Sequence, residues 1–158
     1  MRKDDPRLDA YGDIDELNAW IGLVRASGID PALGGELARV QRDLFALGAQ
    51  LADPADRLAP RVAKAVLGEK DVGRLETLID RLEDELPPLR HFILAGGTPA
   101  GAALHVARTV CRRAERRMVA LAPPIDPVLL QYTNRLSDLL FVLARAVNHR
   151  GNAPEQEW

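Results

Sequence analysis

Cysteine is nearly absent: the 158 residues hold one, Cys111. A lone thiol closes no intramolecular disulfide, so no covalent framework braces this chain, and the count fits a reducing compartment. Histidine is scarce too. His91, His105 and His149 are scattered, and none sits three residues after a glutamate, so the ligand patterns of zinc sites and of di-iron bundles are missing. Neither sign of charge dominates. A net charge of −2 gives no global basic field, which argues against nonspecific nucleic-acid binding. No apolar run approaches the roughly 18 residues needed to cross a bilayer. The opening Met1-Arg2-Lys3-Asp4-Asp5-Pro6-Arg7 lacks the features of a signal peptide. A soluble, cytoplasmic protein with no membrane partner is expected. No G-x-x-x-x-G-K-[ST] loop or G-x-S-x-G elbow occurs, which sets aside a P-loop and an α/β-hydrolase nucleophile.

What the chain has is helical periodicity. At 47% hydrophobic and 28% charged, it carries enough apolar material for one full core. Leu8, Tyr11, Ile14, Leu17, Ile21 and Val24 step by three and four, as do Leu33, Leu37, Val40, Leu44, Leu47 and Leu51. Val72, Leu75, Leu78, Ile79 and Leu82 mark a third helix, and residues 98–121 a fourth. Leu130, Leu136, Leu139, Leu140, Leu143 and Val147 mark a fifth. Residues 53–68 read as a loop. Nothing alternates with period two for long. The expectation is an all-α, five-helix up-and-down bundle, one domain over residues 1–150 with a mobile tail over 151–158.

The most telling stretch is Phe92 to Arg117. Gly96-Gly97 permit a tight turn, Thr98 can cap a helix, and Pro99 suits its first position. Two stripes then run side by side. Leu104, Ala107, Cys111, Ala114 and Met118 form a core seam, in which Cys111 reads as structural. His105, Arg108, Arg112 and Glu115 repeat the spacing one residue later, about 100° around the helix. Such an arginine row is either a solvated face or a local anion site beside an apolar loop. The residues alone leave both readings open.

Three segments together resemble the PduO-type corrinoid adenosyltransferases. They are Lys3-Asp4-Asp5-Pro6-Arg7 with Ala10-Tyr11-Gly12-Asp13-Ile14-Asp15-Glu16-Leu17-Asn18, then Phe92 to Arg117, then Tyr132-Thr133-Asn134-Arg135-Leu136-Ser137-Asp138-Leu139-Leu140-Phe141. Order and spacing agree over nearly the whole chain. The resemblance implies a bundle of this kind, assembled as a homotrimer with sites between subunits. It implies transfer of the 5′-deoxyadenosyl group of ATP, with Mg2+, to the cobalt of a reduced corrinoid such as cob(I)alamin, releasing triphosphate. A corrinoid reductase would be a further partner. Cobalt is itself the nucleophile, which fits the lack of any catalytic triad.

The resemblance also implies residue roles. Arg112 corresponds to an arginine on the nucleotide phosphates, with Arg113, Glu115 and Arg116 in the same turn. Glu115 would orient an arginine or approach magnesium; an ordinary pair with Arg112 is the alternative. Asn134 corresponds to an asparagine that meets the nucleotide from the fifth helix, although Asp138 one turn on could hold it. Lys3 lies on the phosphate side. Asp15 and Arg108 correspond to an acid and base paired across the subunit boundary. Phe92 corresponds to a phenylalanine under the corrin ring that helps displace the lower ligand of cobalt. Three features depart from the pattern. The family opens with a segment of the form T-x-x-G-D-x-G-x-T, and this sequence begins just after where that segment would end. Ala95 and Thr133 stand where proline and leucine are usual. A non-catalytic protein that binds ATP or adenosylcobalamin on the same scaffold, and a plain helical interaction bundle, are the competing readings.

Overall fold

The computed structural model describes residues 2–52 and 66–158. Five helices carry these residues: α1 (Pro6–Ala26), α2 (Pro31–Ala52), α3 (Glu69–Glu83), α4 (Pro99–Val119) and α5 (Pro127–Arg150). The all-α bundle expected from periodicity is what forms. Most of the loop expected over residues 53–68 lies outside the described residues.

Four of the five helices begin with the same device. Asp5, Asp30, Thr98 and Asp126 each precede a proline, and each side chain accepts a backbone N–H two or three residues on. The proline lacks a donor that would otherwise go unpaired, and the capping oxygen satisfies another.

The helices pack in the order α2, α1, α4, α5, α3, with α4 between α1 and α5. Connections of four residues between α1 and α2, and seven between α4 and α5, force these neighbours to run antiparallel. The leucine seams of α2 and α3 are buried throughout, as is the α4 seam from Leu104 to Met118. In α1 the buried face is Ala10, Ile14, Leu17, Ile21 and Val24. Tyr11, expected in the seam, is partly exposed and lies over Gly48 of α2, where an added Cβ would sit 3.1 Å from its ring. Ala10, fully buried, takes the core position beside it.

A polar cluster closes the bundle where α2, α3 and α5 meet. The fully buried Tyr132 donates its hydroxyl to Asp43 at 2.8 Å, Arg74 pairs with both Asp43 and Asp71, and Asp71 accepts from the Gly68 N–H. Burial and the neighbouring Asp43 raise the Tyr132 phenol well above its usual value, so it remains a donor. Removing the shared carboxylate would strand the buried Tyr132 hydroxyl and leave Arg74 only Asp71. Asp43→Ala is expected to lower unfolding stability by about 3 kcal/mol. Urea titration against wild type checks this, and a loss below about 0.5 kcal/mol would show that the cluster is not structural.

Candidate functional site

The helix start that opens the site forms as its residues dictate. Gly96 and Gly97 take φ of 153° and 104°, backbone values that favour glycine, and Thr98 accepts from the Gly101 N–H at 3.0 Å. From that turn, α4 runs with its small-residue seam buried against α1 and α5. Its arginines therefore emerge along two borders.

Along the α5 border the row His105, Arg108, Arg112, Glu115 passes from buried to exposed. His105 is buried, its ring edge-on to Phe141 at 6.1 Å between centroids, and its Nδ1 has no partner. Burial, with Arg108 nearby, holds this imidazole below its ordinary pKa and so neutral near pH 7. Arg108 is half-buried, its guanidinium 5.7 Å from the Phe141 ring centre, and its Nε is buried without a partner. Burial and the charge of Arg112 both press its pKa down. Arg112 and Arg116 are exposed, and neither makes a hydrogen bond or ion pair among the described residues. Glu115 accepts from Asn134 Nδ2 at 3.1 Å. Thus Asn134 turns to Glu115 rather than Asp138, which pairs with Arg135 instead, and Glu115 is engaged by Asn134 rather than by Arg112.

Along the α1 border the arginines are already occupied. Arg113 pairs with Asp13 at 3.1 Å and with Glu16 at 2.6 Å, and Arg117 meets the same Asp13 oxygen at 3.1 Å. Arg113 therefore faces α1, away from Arg112 and Asn134. Asp13 is 5% exposed. A buried carboxylate between two guanidiniums was missed from sequence; its only signal is its place beside the seam residue Ile14. The same register sets Lys3, just before α1, beside the last turns of α4. The exposed Lys3 shares that end of the bundle with Arg116.

Asp15 is exposed on the opposite side. It borders an apolar depression between α1 and α2 with Tyr11, Asn18, Phe45 and Gly48. Phe45 there is 72% exposed. Within one chain, Asp15 and Arg108 are not partners.

Phe92 stands at the head of α4, 82% exposed, on the loop before Gly96. The segment expected to be a mobile tail pairs with this loop. Trp158 N donates to Phe92 O at 2.9 Å, Leu94 N donates to Gln156 O at 2.8 Å, and Ile93 bridges Glu157. Arg145, 6% exposed, ties Glu155 at 2.7 Å and donates to Pro87 O at 3.0 Å. Between loop, tail and α5 lies a cleft of about 390 Å³ lined by His105, Arg145 and Asn148. Phe92 and Glu115 thus lie toward opposite ends of α4. At a rise of 1.5 Å per residue that is roughly 25 Å. This side of the bundle has an apolar end at Phe92 and a cationic end at Arg112 and Arg116. Among the described residues no three His, Cys, Asp or Glu side chains gather to hold a metal ion, and no helix is long and apolar enough to cross a membrane.

This arrangement has counterparts. The family described as cobalamin adenosyltransferase matches residues 1–147. The corrinoid adenosyltransferase of Bacillus subtilis (strain 168) is 43% identical, over 99% of this chain and 81% of its own length. The corrinoid adenosyltransferase PduO of Citrobacter freundii is 42% identical over 94% of this chain, which spans 44% of that longer protein. Among solved structures, a PduO-type ATP:corrinoid adenosyltransferase variant from Lactobacillus reuteri, complexed with cobalamin and ATP, superposes with a TM-score of 0.90. It is 39% identical and covers 100% of this chain and 88% of that one. An arginine-to-lysine variant from the same organism, complexed with ATP, gives 0.89. With a family match over residues 1–147 and a relative 43% identical over nearly the whole chain, the chain belongs to the cobalamin adenosyltransferase family.

Proposed function

We propose that this chain transfers the 5′-deoxyadenosyl group of ATP to the cobalt of a reduced corrinoid, giving adenosylcobalamin and triphosphate. The observation that carries the reading is the outward arginine row of α4 beside α5, with Arg112 uncompensated among the described residues and an exposed phenyl ring on the loop at the other end of the helix. ATP and cobalamin are the ligands of the relative with a TM-score of 0.90.

The chemistry asks little covalent work of the protein. The cobalt(I) electron pair attacks the ribose C5′, the C5′–O bond breaks, and the triphosphate leaves with that bond's electrons. Negative charge grows on the leaving oxygen. A guanidinium already in place stabilises it without reorganising, worth roughly 3 kcal/mol per well-placed donor. Arg112 holds that role, Arg116 and Lys3 extend the positive surface, and Asn134 with Glu115 forms a polar end stop. Arg113 supports the site by fixing α4 against α1 rather than by touching phosphate. Magnesium keeps most of its water and binds phosphate oxygens with one or two carboxylates. Glu115 would supply one such carboxylate to an ion carried by ATP.

Phe92 offers an apolar wall to the corrin face, excluding water and a sixth-position donor from cobalt. Leaving the lower position empty eases reduction of Co(II), which a partner reductase would perform in a reducing cytoplasm. Arg108 has a buried Nε lacking a partner, and Asp15 sits in an exposed apolar patch on the other side of the same chain. Two such different faces meet only between copies, and a head-to-tail contact that closes gives a ring. A homotrimer places the Asp15 of one copy on the Arg108 of the next.

Arg112→Ala is expected to lower turnover about a hundredfold with circular dichroism unchanged; undiminished activity removes the phosphate role. Phe92→Ala should slow the reaction far more when Co(II) is reduced on the protein than when Co(I) is supplied. Equal slowing would mean the ring only packs. Sedimentation should give three times the 17.3 kDa chain mass. Asp15→Arg should shift it toward the monomer, and Arg108→Asp in the same chain should restore it. An Asp15→Arg protein sedimenting like wild type would refute the pairing. Cobalamin binding without turnover in the wild-type chain would favour a binding protein.

A further inference from the structure

Phe92 is too exposed to be fixed by its own packing, so its position must come from the backbone that carries it. That backbone is gripped by one side chain. Asn148, in the last turn of α5 and 6% exposed, accepts from Thr98 N and from Thr98 Oγ1, both at 2.9 Å. Its Nδ2 donates to Gly96 O at 2.8 Å. The amide orientation is fixed by these partners, because the reverse would set its NH2 against the Thr98 N–H. The Thr98 hydroxyl, having donated to Asn148, accepts from Gly101 N–H, so the grip continues into the first turn of α4.

The surrounding glycines are cut to this amide. A Cβ on Gly97 would fall 2.3 Å from Asn148, and one on Gly101 only 1.9 Å. Gly101 sits in a helix, where alanine is preferred; room for Asn148 accounts for it. One turn earlier on α5, Arg145 holds Pro87 O, at the other end of the same loop. The last two turns of α5 therefore fasten both ends of residues 87–98, with Phe92 between.

We infer that Asn148 is the positioning residue of the Phe92 loop and sets corrinoid affinity while leaving ATP affinity alone. This rests on the corrinoid role proposed for Phe92. Asn148 lies beside the Phe92 loop, fourteen residues along α5 from Asn134, so a loss here disturbs one substrate and not the other.

The test compares full-length wild type, Asn148→Ala and Asn148→Asp, using ATP and chemically reduced cobalamin. Asn148→Ala should raise KM for cobalamin at least tenfold and leave KM for ATP within twofold. Asn148→Asp keeps the two accepted hydrogen bonds but loses the donor to Gly96, and should fall between. Should Asn148→Ala not fold, Asn148→Asp carries the comparison. An unchanged cobalamin KM, or equal rises in both KM values, overturns the inference. Amide hydrogen exchange in the ligand-free protein supplies an independent arm: Thr98 and Leu94 should exchange at least tenfold faster in Asn148→Ala. Unchanged exchange overturns the clamp whatever the activity. A wild-type chain that neither binds nor converts cobalamin defeats the proposed function, and exchange then judges the clamp alone.

Discussion

Close packing of α4 between α1 and α5 is the constraint from which the rest follows. Its seam is built from Leu104, Ala107, Cys111, Ala114 and Met118, all at most 1% exposed. Alanine and cysteine at three of the five positions let two helices approach the same cylinder. A helix buried on two sides has little surface left, so its many arginines are sorted by position. Residues 113 and 117 fall on the α1 border and are neutralised by Asp13. Residues 112 and 116, one step round, face outward with their charge uncompensated among the described residues. Four arginines in six positions thus divide into two that stabilise the bundle and two available to an anion.

Much of the fold could be read from the residues because its determinants are local. Leucine spacing, four prolines at helix starts and the acidic or hydroxyl caps before them each act within a turn or two of chain. A residue's placement was legible where it depends on its own helix face, as for the outward Arg112, or on a turn, as for Gly96-Gly97-Thr98. It was not legible where the partner lies far away in sequence. Nothing near Arg113 announces that Asp13, one hundred residues earlier, will claim it. Asn134 has an equally plausible local partner in Asp138, and only the α4–α5 register decides for Glu115. Arg145 and Asn148 look like ordinary polar residues at a helix end; their partners are loop carbonyls and amides that sequence patterns do not mark.

Polarity along α4 is also set by helix direction. α4 points its N-terminus at the Phe92 loop and its C-terminus at Asn134 and Glu115. The macrodipole of α4 alone would repel an anion at the far end, so cationic side chains must supply the attraction there. α1 runs the other way, and its N-terminal end, with Lys3 just ahead, lies beside those last turns of α4. The two dipoles partly cancel where the proposed triphosphate would rest. Antiparallel packing therefore does electrostatic as well as mechanical work.

An aromatic ring kept wet in the ligand-free protein is an unfavourable arrangement awaiting a cover. Hiding one phenylalanine side chain from water contributes about 2–3 kcal/mol, or roughly 30- to 150-fold in a dissociation constant. If Phe92 meets a corrin face as proposed, its 82% exposure means that capture of the macrocycle would gain strength from dehydration of the protein as well as from specific contacts. The same bareness makes the empty protein the stickier form, prone to catching stray greasy molecules until its proper guest arrives.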